Sequence, residues 1–389
     1  MPSTADNAAN IAAPTRRVLY AASTFSHLAS FHVPYIQALL RDGWEVTLLA
    51  GDDGQQAQMP ASAKLVPVRF AKSMTAHCNF KVASQVGLMQ LQQHFDLVLT
   101  HTSLAAFFVR LGLLQASMHG KVSSPRVVNT VHGYLFDDAT SFVKSQVMLS
   151  AERLVAPVTS DIVVMNRQDA QIASKRRLCQ GTVFATAGIG CKLEGLAPAT
   201  AEQRAQARRE LGIDASALVL ICAAEFSARK NQRMLIEAMA ELPANVVLAL
   251  PGTGALLEDC RALAAKKGVA GRVLFPGHLD AARLATWRAA SDVCVSAARY
   301  EGLPCHVVEA FACGLPAVLS DVKGHQDLVQ EGATGHLYRY NDKAAFADII
   351  RRLTNTSRVR TEMGRRAHQA SAAYSLDSVL PPLLKFYEG

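Results

Sequence analysis

The sequence predicts an α/β fold: two domains in succession, each a doubly wound parallel sheet. Three observations predict it. Short, nearly all-apolar segments recur along the chain, each followed by a longer stretch of helical or turn character, as expected of parallel strands buried on both faces. The alternation runs twice, with one weakened interval around residues 189–207. A length of 389 residues, half of them hydrophobic and 19% charged, allows two large cores at roughly 100–200 residues per domain.

Taken in order, "RVLYAAS" (17–23) is a strand ending in small polar residues, and "HVPYIQALLRDGWEV" reads as a helix closed near Gly43. "EVTLLAG" (45–51) and "KLVPVRF" (64–70) are the next strands. A helix through "NFKVASQVGLMQLQQHF" leads to the strand "DLVLTH" (96–101). The helix "LAAFFVRLGLLQASM" leads to the strand "RVVNTVHG" (126–133), and a long helical region to "DIVVMN" (161–166) and "TVFATAG" (182–188). The glycines, proline and polar residues of "GIGCKLEGLAPATAEQRAQ" mark an interdomain linker. The second run of strands is "ALVLICAA" (217–224), "NVVLALPG" (245–252), "RVLFPG" (272–277), "DVCVSA" (292–297), "PAVLSD" (316–321) and "GHLY" (335–338). The last stretch, "YSLDSVLPPLLKFYEG", reads as an amphipathic helix interrupted by Pro381 and Pro382. The expected organisation is a frayed tail over residues 1–15, one domain over 16–195, a second over 196–370, and a helix over 371–389 packing back toward the first. Ligands on such sheets bind beyond the carboxyl ends of the strands, and paired domains make a cleft between them.

Composition narrows the function. The formal charge is +8, with basic clusters at Arg16-Arg17, Lys175-Arg176-Arg177, Arg351-Arg352 and Arg365-Arg366. These suit solvated helix faces, nucleotide phosphates or anionic lipid headgroups, for which each Lys or Arg contributes about 1 kcal/mol. Zinc-finger spacing and a basic-aromatic strip are lacking, which argues against nucleic acid. None of the eight cysteines forms a C-x-x-C pair, so a reducing, cytoplasmic compartment is expected. Residues 1–15 do not read as a signal peptide, and no run of about 18 apolar residues predicts a membrane span. Metal ligation is not expected: there is no H-E-x-x-H, and Asp52-Asp53 and Asp137-Asp138 are adjacent pairs.

The most informative stretch is "RYEGLPCHVVEAFACGLPAVLSD" (299–321). Its front is the loop at the carboxyl end of the strand "DVCVSA", and Pro304 suits the opening of a helix. That helix runs through "CHVVEAFAC" and stops at Gly314. Its free N–H groups and positive dipole end suit a phosphate. Glu309, near the second turn among Val307, Val308, Ala310 and Phe311, is placed to accept hydrogen bonds from a ribose diol. Glu301, in the loop, approaches the sugar part of such a ligand.

The stretch resembles the E-x7-E signature of retaining glycosyltransferases of GT-B architecture, two Rossmann-like domains facing a cleft, and specifically glycosyltransferase family 4. The resemblance runs through "EGLPCHVVEAFACGLPAVLSDVKGHQDLVQEGATGHLY" (301–338) and continues upstream through 250–278 and 224–242. It implies a donor diphosphate held by a lysine, here Lys230, five residues after an arginine whose place Glu225 takes, with Arg229 compensating. Glu301 and the backbone of Gly302, Leu303, Pro304 and Cys305 are implied around the sugar. His278, after Gly277, reads either as a nucleotide-base contact or as an exposed loop histidine. "VHGY" (131–134) resembles the acceptor-domain H-G, which implies His132 beside the reacting centre. In place of the family's early glycine-rich loop stands "STFSHLASFHVPY" (23–35), similar to bacterial exopolysaccharide and capsule transferases. Ser26, His27 and His32 are then acceptor-side candidates.

The expectation is a metal-independent hexosyltransferase with no cofactor. It transfers a sugar from a nucleoside diphosphate, UDP first, to a glycan or lipid-linked acceptor for surface polysaccharide, in the cytoplasm and in contact with the inner face of an anionic membrane. The alternatives are a nucleotide-sugar epimerase on the same fold and a transfer-inactive GT-B binding module.

Overall fold

The computed structural model describes residues 15–118, 124–134, 136 and 140–389. Up to residue 14 the expected tail lies outside them, as do Asp137 and Asp138. Among the described residues two parallel sheets carry the fold. The seven-stranded sheet has the order β3-β2-β1-β4-β5-β6-β7 and the six-stranded sheet β10-β9-β8-β11-β12-β13.

The first sheet comprises β1 (Arg17–Ala21), β2 (Glu45–Gly51), β3 (Lys64–Val68), β4 (Leu97–His101), β5 (Arg126–Val131), β6 (Asp161–Val164) and β7 (Val183–Ala185). Its helices are α1 (Phe25–Phe31), α2 (Val33–Arg41), α3 (His77–Gln93), α4 (Ser103–Ser117), α5 (Phe142–Val155) and α6 (Arg167–Arg176). β1 lies between β2 and β4, with Val18 paired to Val46 on one side and Leu97 on the other. Leu19, Leu49, Val98 and Val127 meet Val82, Val86, Val109 and Leu113 in one core. α3 and α4 approach closely because Gly112 lies against the Ala83 carbonyl, where a Cβ would overlap it.

After α7 (Ala201–Glu210) the second sheet is built from β8 (Leu218–Ile221), β9 (Val246–Pro251), β10 (Val273–Gly277), β11 (Val293–Ser296), β12 (Ala317–Ser320) and β13 (Gly335–Tyr338). Its helices are α8 (Gln232–Met239), α9 (Leu257–Lys266), α10 (Ala281–Ala290) and α11 (Cys305–Ala312). The chain ends in α12 (Lys343–Thr354), α13 (Ser357–Ser371) and α14 (Leu376–Glu388). The continuous apolar runs are explained by burial on both faces: Leu218 and Leu220 pack into the core under α8 and α12, Ile221 into the core with Val307 and Phe311.

The described residues of Met1–Thr130, Asp138–Ile162 and Arg177–Thr182 form one compact unit; those of Val131–Asp137, Val163–Arg176 and Val183–Gly389 form the other. The segments at 131–137 and 163–176 thus belong with the second half of the chain.

Three local expectations are corrected. α1 precedes the expected helix at "HVPYIQALL" and is separated from it at His32; Thr24 caps α1 by accepting the His27 N–H at 3.2 Å, and Pro34 sits in the first turn of α2. The polar residues 201–207, read as linker, are helical because Thr200 and Gln203 form a reciprocal capping box. α14 runs through Pro381 and Pro382 unbroken. Interior prolines cost about 3 kcal/mol or more. Burial of Val379, Leu383 and Tyr387 offsets that, as does Phe386 stacked 4.5 Å from Phe184.

Candidate functional site

The strand order places the site. From β8 the chain winds outward through β9 and β10, then returns to β11 on the other side of β8. The loops after β8 and β11 therefore diverge from a topological switch point, where ligands of open α/β sheets bind. The loop after β8 holds Arg229 and Lys230 and the loop after β11 holds Glu301. An Arg299 N–H donating to the Arg229 carbonyl at 2.9 Å ties the two loops together.

Glu301 is 6% exposed. Its Oε2 accepts from Arg229 Nη1 at 2.7 Å and its Oε1 from Lys230 Nζ at 2.6 Å. Burial pushes its pKa up, but Lys230, Arg229 and His325 together hold it below the usual carboxylate range. Behind it lie two imidazoles whose Nε2 atoms are buried with no hydrogen-bond partner, those of His306 and His325. Burial first, and the neighbouring cations second, hold His306 well below the ordinary histidine pKa. His325 falls to about 4 through burial, against the pull of Glu301; its Nδ1 lies 2.8 Å from the Ser320 carbonyl.

Pro304 is the N-cap of α11, and Gly314, in the left-handed region at φ +71°, follows its end. The free N–H groups at the start of α11 follow directly on the loop that carries Glu301. Glu309 is half-buried and pairs with Arg288 of α10 rather than with Lys230. Burial raises the Glu309 pKa, and the guanidinium opposes the rise. Arg288 is the partner that a carboxylate among apolar neighbours requires, and no local pattern marks it.

Gly302, Leu303, Pro304 and Cys305 follow Glu301 as expected, with Leu303 packed against Gly188. His132 comes next to them through its backbone: a Cβ on Gly302 would overlap the His132 carbonyl oxygen, and one on Gly133 would lie 3.3 Å from Gly302 Cα. On the other face Gly324, at φ +80°, allows the loop after β12 to lie against the carbonyls of Glu301 and Gly302. Three backbone segments, 132–133, 301–302 and 323–324, thus stack as layers that only glycine permits.

Two expected donor residues are less engaged. Glu225 is exposed, and its backbone carbonyl accepts from Gln232 Nε2 at 2.8 Å. His278 is exposed just after β10.

The acceptor-side candidates belong to the first unit, at the carboxyl ends of β1 and β2. Ser26 and His27 lie on α1 and His32 is fully buried at its end. Tyr20 Oη is 2.8 Å from His32 Nδ1, and His32 Nε2 is 3.2 Å from His27 Nε2. Burial lowers the His27 pKa to about 4. The Ser26 N–H donates to the Asp53 carboxylate at 3.2 Å.

Comparison with known proteins bears on the fold and the enzyme class. Residues 203–370 match the family model of glycosyl transferases group 1, which spans the second sheet and its loops. A putative glycosyltransferase, EpsD, of Bacillus subtilis is 27% identical over 364 residues, covering 93% of each chain. An Escherichia coli enzyme described as UDP-Gal:alpha-D-GlcNAc-diphosphoundecaprenol alpha-1,3-galactosyltransferase is 26% identical and covers 70% of each chain. Among solved structures, the sucrose-phosphate synthase of Thermosynechococcus elongatus shares the fold at a TM-score of 0.78 and 19% identity, covering 96% of this chain and 98% of its own. HepE of Anabaena, in complex with UDP, shares it at 0.73 and 18%, covering 96% and 100%. The chain is a transferase enzyme of the glycosyltransferase kind, on the two-domain α/β architecture of the GT-B proteins.

Proposed function

We propose that this glycosyltransferase moves a hexosyl group from a nucleoside diphosphate sugar, UDP-linked first, to a hydroxyl of a glycan or lipid-linked acceptor. The anomeric configuration is retained, and the product belongs to bacterial surface polysaccharide. The observation that carries the reading is the Glu301 carboxylate held between Arg229 and Lys230 at the switch point, on the loop that opens α11. Two cations and a helix N-terminus together suit a leaving diphosphate, whose developing charge fixed groups stabilise without reorganising. In this reading they carry the phosphate charge and no metal is needed.

Glu309, kept oriented by Arg288, accepts from the ribose hydroxyls. Glu301 and the backbone of Gly302 to Cys305 orient the sugar, with His132 at the reacting centre. Ser26, His27 and His32 serve the acceptor, and His278 the base. The substrates named for similar proteins point the same way: a UDP-galactose donor with a diphosphoundecaprenol acceptor in one, and UDP-glucose in a complex of HepE.

Work on a lipid-linked acceptor places the enzyme at the cytoplasmic face of an anionic membrane. Phe142, Val143, Val147 and Leu154 of α5 are each more than half exposed, at spacings that bring most of them to one side, with exposed Lys144 and Arg153 beside them. Among the described residues no helix is long and apolar enough to cross a membrane.

A thermal-shift panel of nucleoside diphosphates and their sugars tests the reading. A ligand at about 100 times its dissociation constant adds roughly 2.7 kcal/mol, and UDP is expected to rank first. Nucleotide release that depends on acceptor then separates transfer from isomerisation or simple binding. A panel with no stabilising nucleotide refutes the proposal.

A further inference from the structure

The loop after β12 carries a lysine that the donor site does not use. Lys323 is 3% exposed and Asp169 of α6 fully buried, although 154 residues separate them in sequence. Lys323 Nζ lies 3.0 Å from Asp169 Oδ1. It also donates to the Tyr134 carbonyl and, at 3.4 Å, to that of Phe136. All three ammonium protons therefore have acceptors. Asp169 Oδ2 accepts from the Tyr134 N–H at 3.3 Å and from Asn166 Nδ2 at 2.7 Å. Asn166 Nδ2 reaches the Gly302 carbonyl at 3.3 Å, and the Lys323 carbonyl accepts the Glu301 N–H at 3.3 Å.

This network bonds to the segment that begins at His132 and to the loop that begins at Glu301. A buried ion pair is a poor source of net stability, since apolar residues of similar volume often replace it without loss. What these bonds do accomplish is registration of one backbone layer on the next. We infer that the Lys323–Asp169 pair is a positioning device that fixes the His132–Tyr134 segment against Glu301–Gly302, setting the height of His132 over the transferring sugar. The inference rests on the function proposed above; Lys323 and Asp169 touch neither donor nor acceptor in it.

The test is the paired substitution Lys323→Met/Asp169→Leu, which removes both charges together, with Asp169→Asn as the milder variant. The expected results for the double variant are a melting temperature within a few degrees of wild type and a UDP dissociation constant within about threefold. Its kcat falls at least thirtyfold at unchanged donor KM, and hydrogen exchange at the Tyr134 amide speeds at least tenfold. Asp169→Asn gives the same pattern at smaller amplitude. Wild-type kcat in either folded variant overturns the inference, as does loss of UDP binding in step with kcat, which marks a role in the fold at large. Should the wild-type enzyme move no sugar, the functional reading fails by itself; Tyr134 exchange then decides the clamp, and an unchanged rate in Asp169→Asn overturns it.

Discussion

Glu301→Gln separates the structural work of the site from its chemistry. The carboxylate is 6% exposed and accepts at 2.7 Å from Arg229 and 2.6 Å from Lys230. The amide keeps one oxygen for Lys230 and turns a donor toward the guanidinium, so at least one charge-assisted bond of about 1.5–3 kcal/mol is lost. The Arg229 side chain, 34% exposed, regains water and its share is discounted; Lys230, at 11%, is left as a poorly compensated buried charge. The expected loss is roughly 2–3 kcal/mol, or about 5–10 °C in the melting temperature of a unit of this size. The pH dependence has a definite sign. Glu301 titrates below its unfolded value, so its contribution is complete above the ordinary carboxylate pKa and is lost as pH falls through the folded one. The gap between wild type and variant therefore narrows on acidification below about pH 4. With their carboxylate neutralised, Arg229 and Lys230 are freer to meet phosphate. UDP affinity is thus expected to hold or rise while transfer falls about 100-fold, about 2.7 kcal/mol of transition-state stabilisation. Melting curves at pH 7 and 3.5, titration calorimetry with UDP and a nucleotide-release assay measure these quantities. An unchanged melting temperature at pH 7, a gap that persists in acid, or UDP affinity falling with the rate each refutes the reasoning.

Three further outcomes follow from the same geometry. If Glu309 holds the ribose as proposed, Glu309→Ala removes two hydrogen bonds of about 1 kcal/mol each and raises donor KM on the order of tenfold or more, whereas Lys230→Ala acts mainly on kcat; initial-rate kinetics that leave both unaltered count against the assignment. His27 and His325 both titrate near 4 in the fold against an ordinary 6.5, so each must stay neutral. Their contribution is complete above about pH 6.5 and lost as pH falls toward 4, so urea midpoints drop over that window and drop less steeply in His325→Asn. Arg110 and Glu152, a buried pair at 3.0 Å in the first unit and remote in role from the donor site, provide the contrast. Arg110→Met/Glu152→Leu is expected to melt within a few degrees of wild type and keep its kcat, while Glu152→Ala alone costs about 3–5 kcal/mol.

The sheets were legible because their signal is local. "LVLI" and "VCVS" are fully buried strands, and short apolar runs spaced by helices are what a parallel sheet covered on both faces produces. The loop after β11 was legible in outline for the same reason: a strand, then Glu-Gly and Pro, then a helix ending at Gly314. The partners of those residues were not, because they come from distant segments. Arg288 lies 21 residues before Glu309 on a helix with no marked polar pattern. Asp169 sits in "RQDAQIASKR", which reads as a solvated face and yet holds a fully buried carboxylate. One signal was available. "SDVKGHQD" follows β12 as "ARYEGLP" follows β11, and the rule that ligands meet the carboxyl ends of strands applied to both loops. A charged residue beside a glycine in that position marked Lys323.

The cores and the site draw on largely different residues, with Glu301 contributing to both stability and activity. The cores beneath both sheets are apolar and continuous, and they suffice to form the strands. Three charges of the second unit, Glu301 at 6% exposure, Lys323 at 3% and Asp169 at 0%, are buried on or against the layered backbone at 132–133, 301–302 and 323–324. Gly133, Gly302 and Gly324 face neighbouring backbone, so at these positions hydrogen bonds rather than interlocking side chains set the register. A stack of this kind slides unless directional bonds pin it, and buried charged groups form the strongest such bonds available. In the positioning role proposed above, these charges are the means by which the glycine stack holds one geometry.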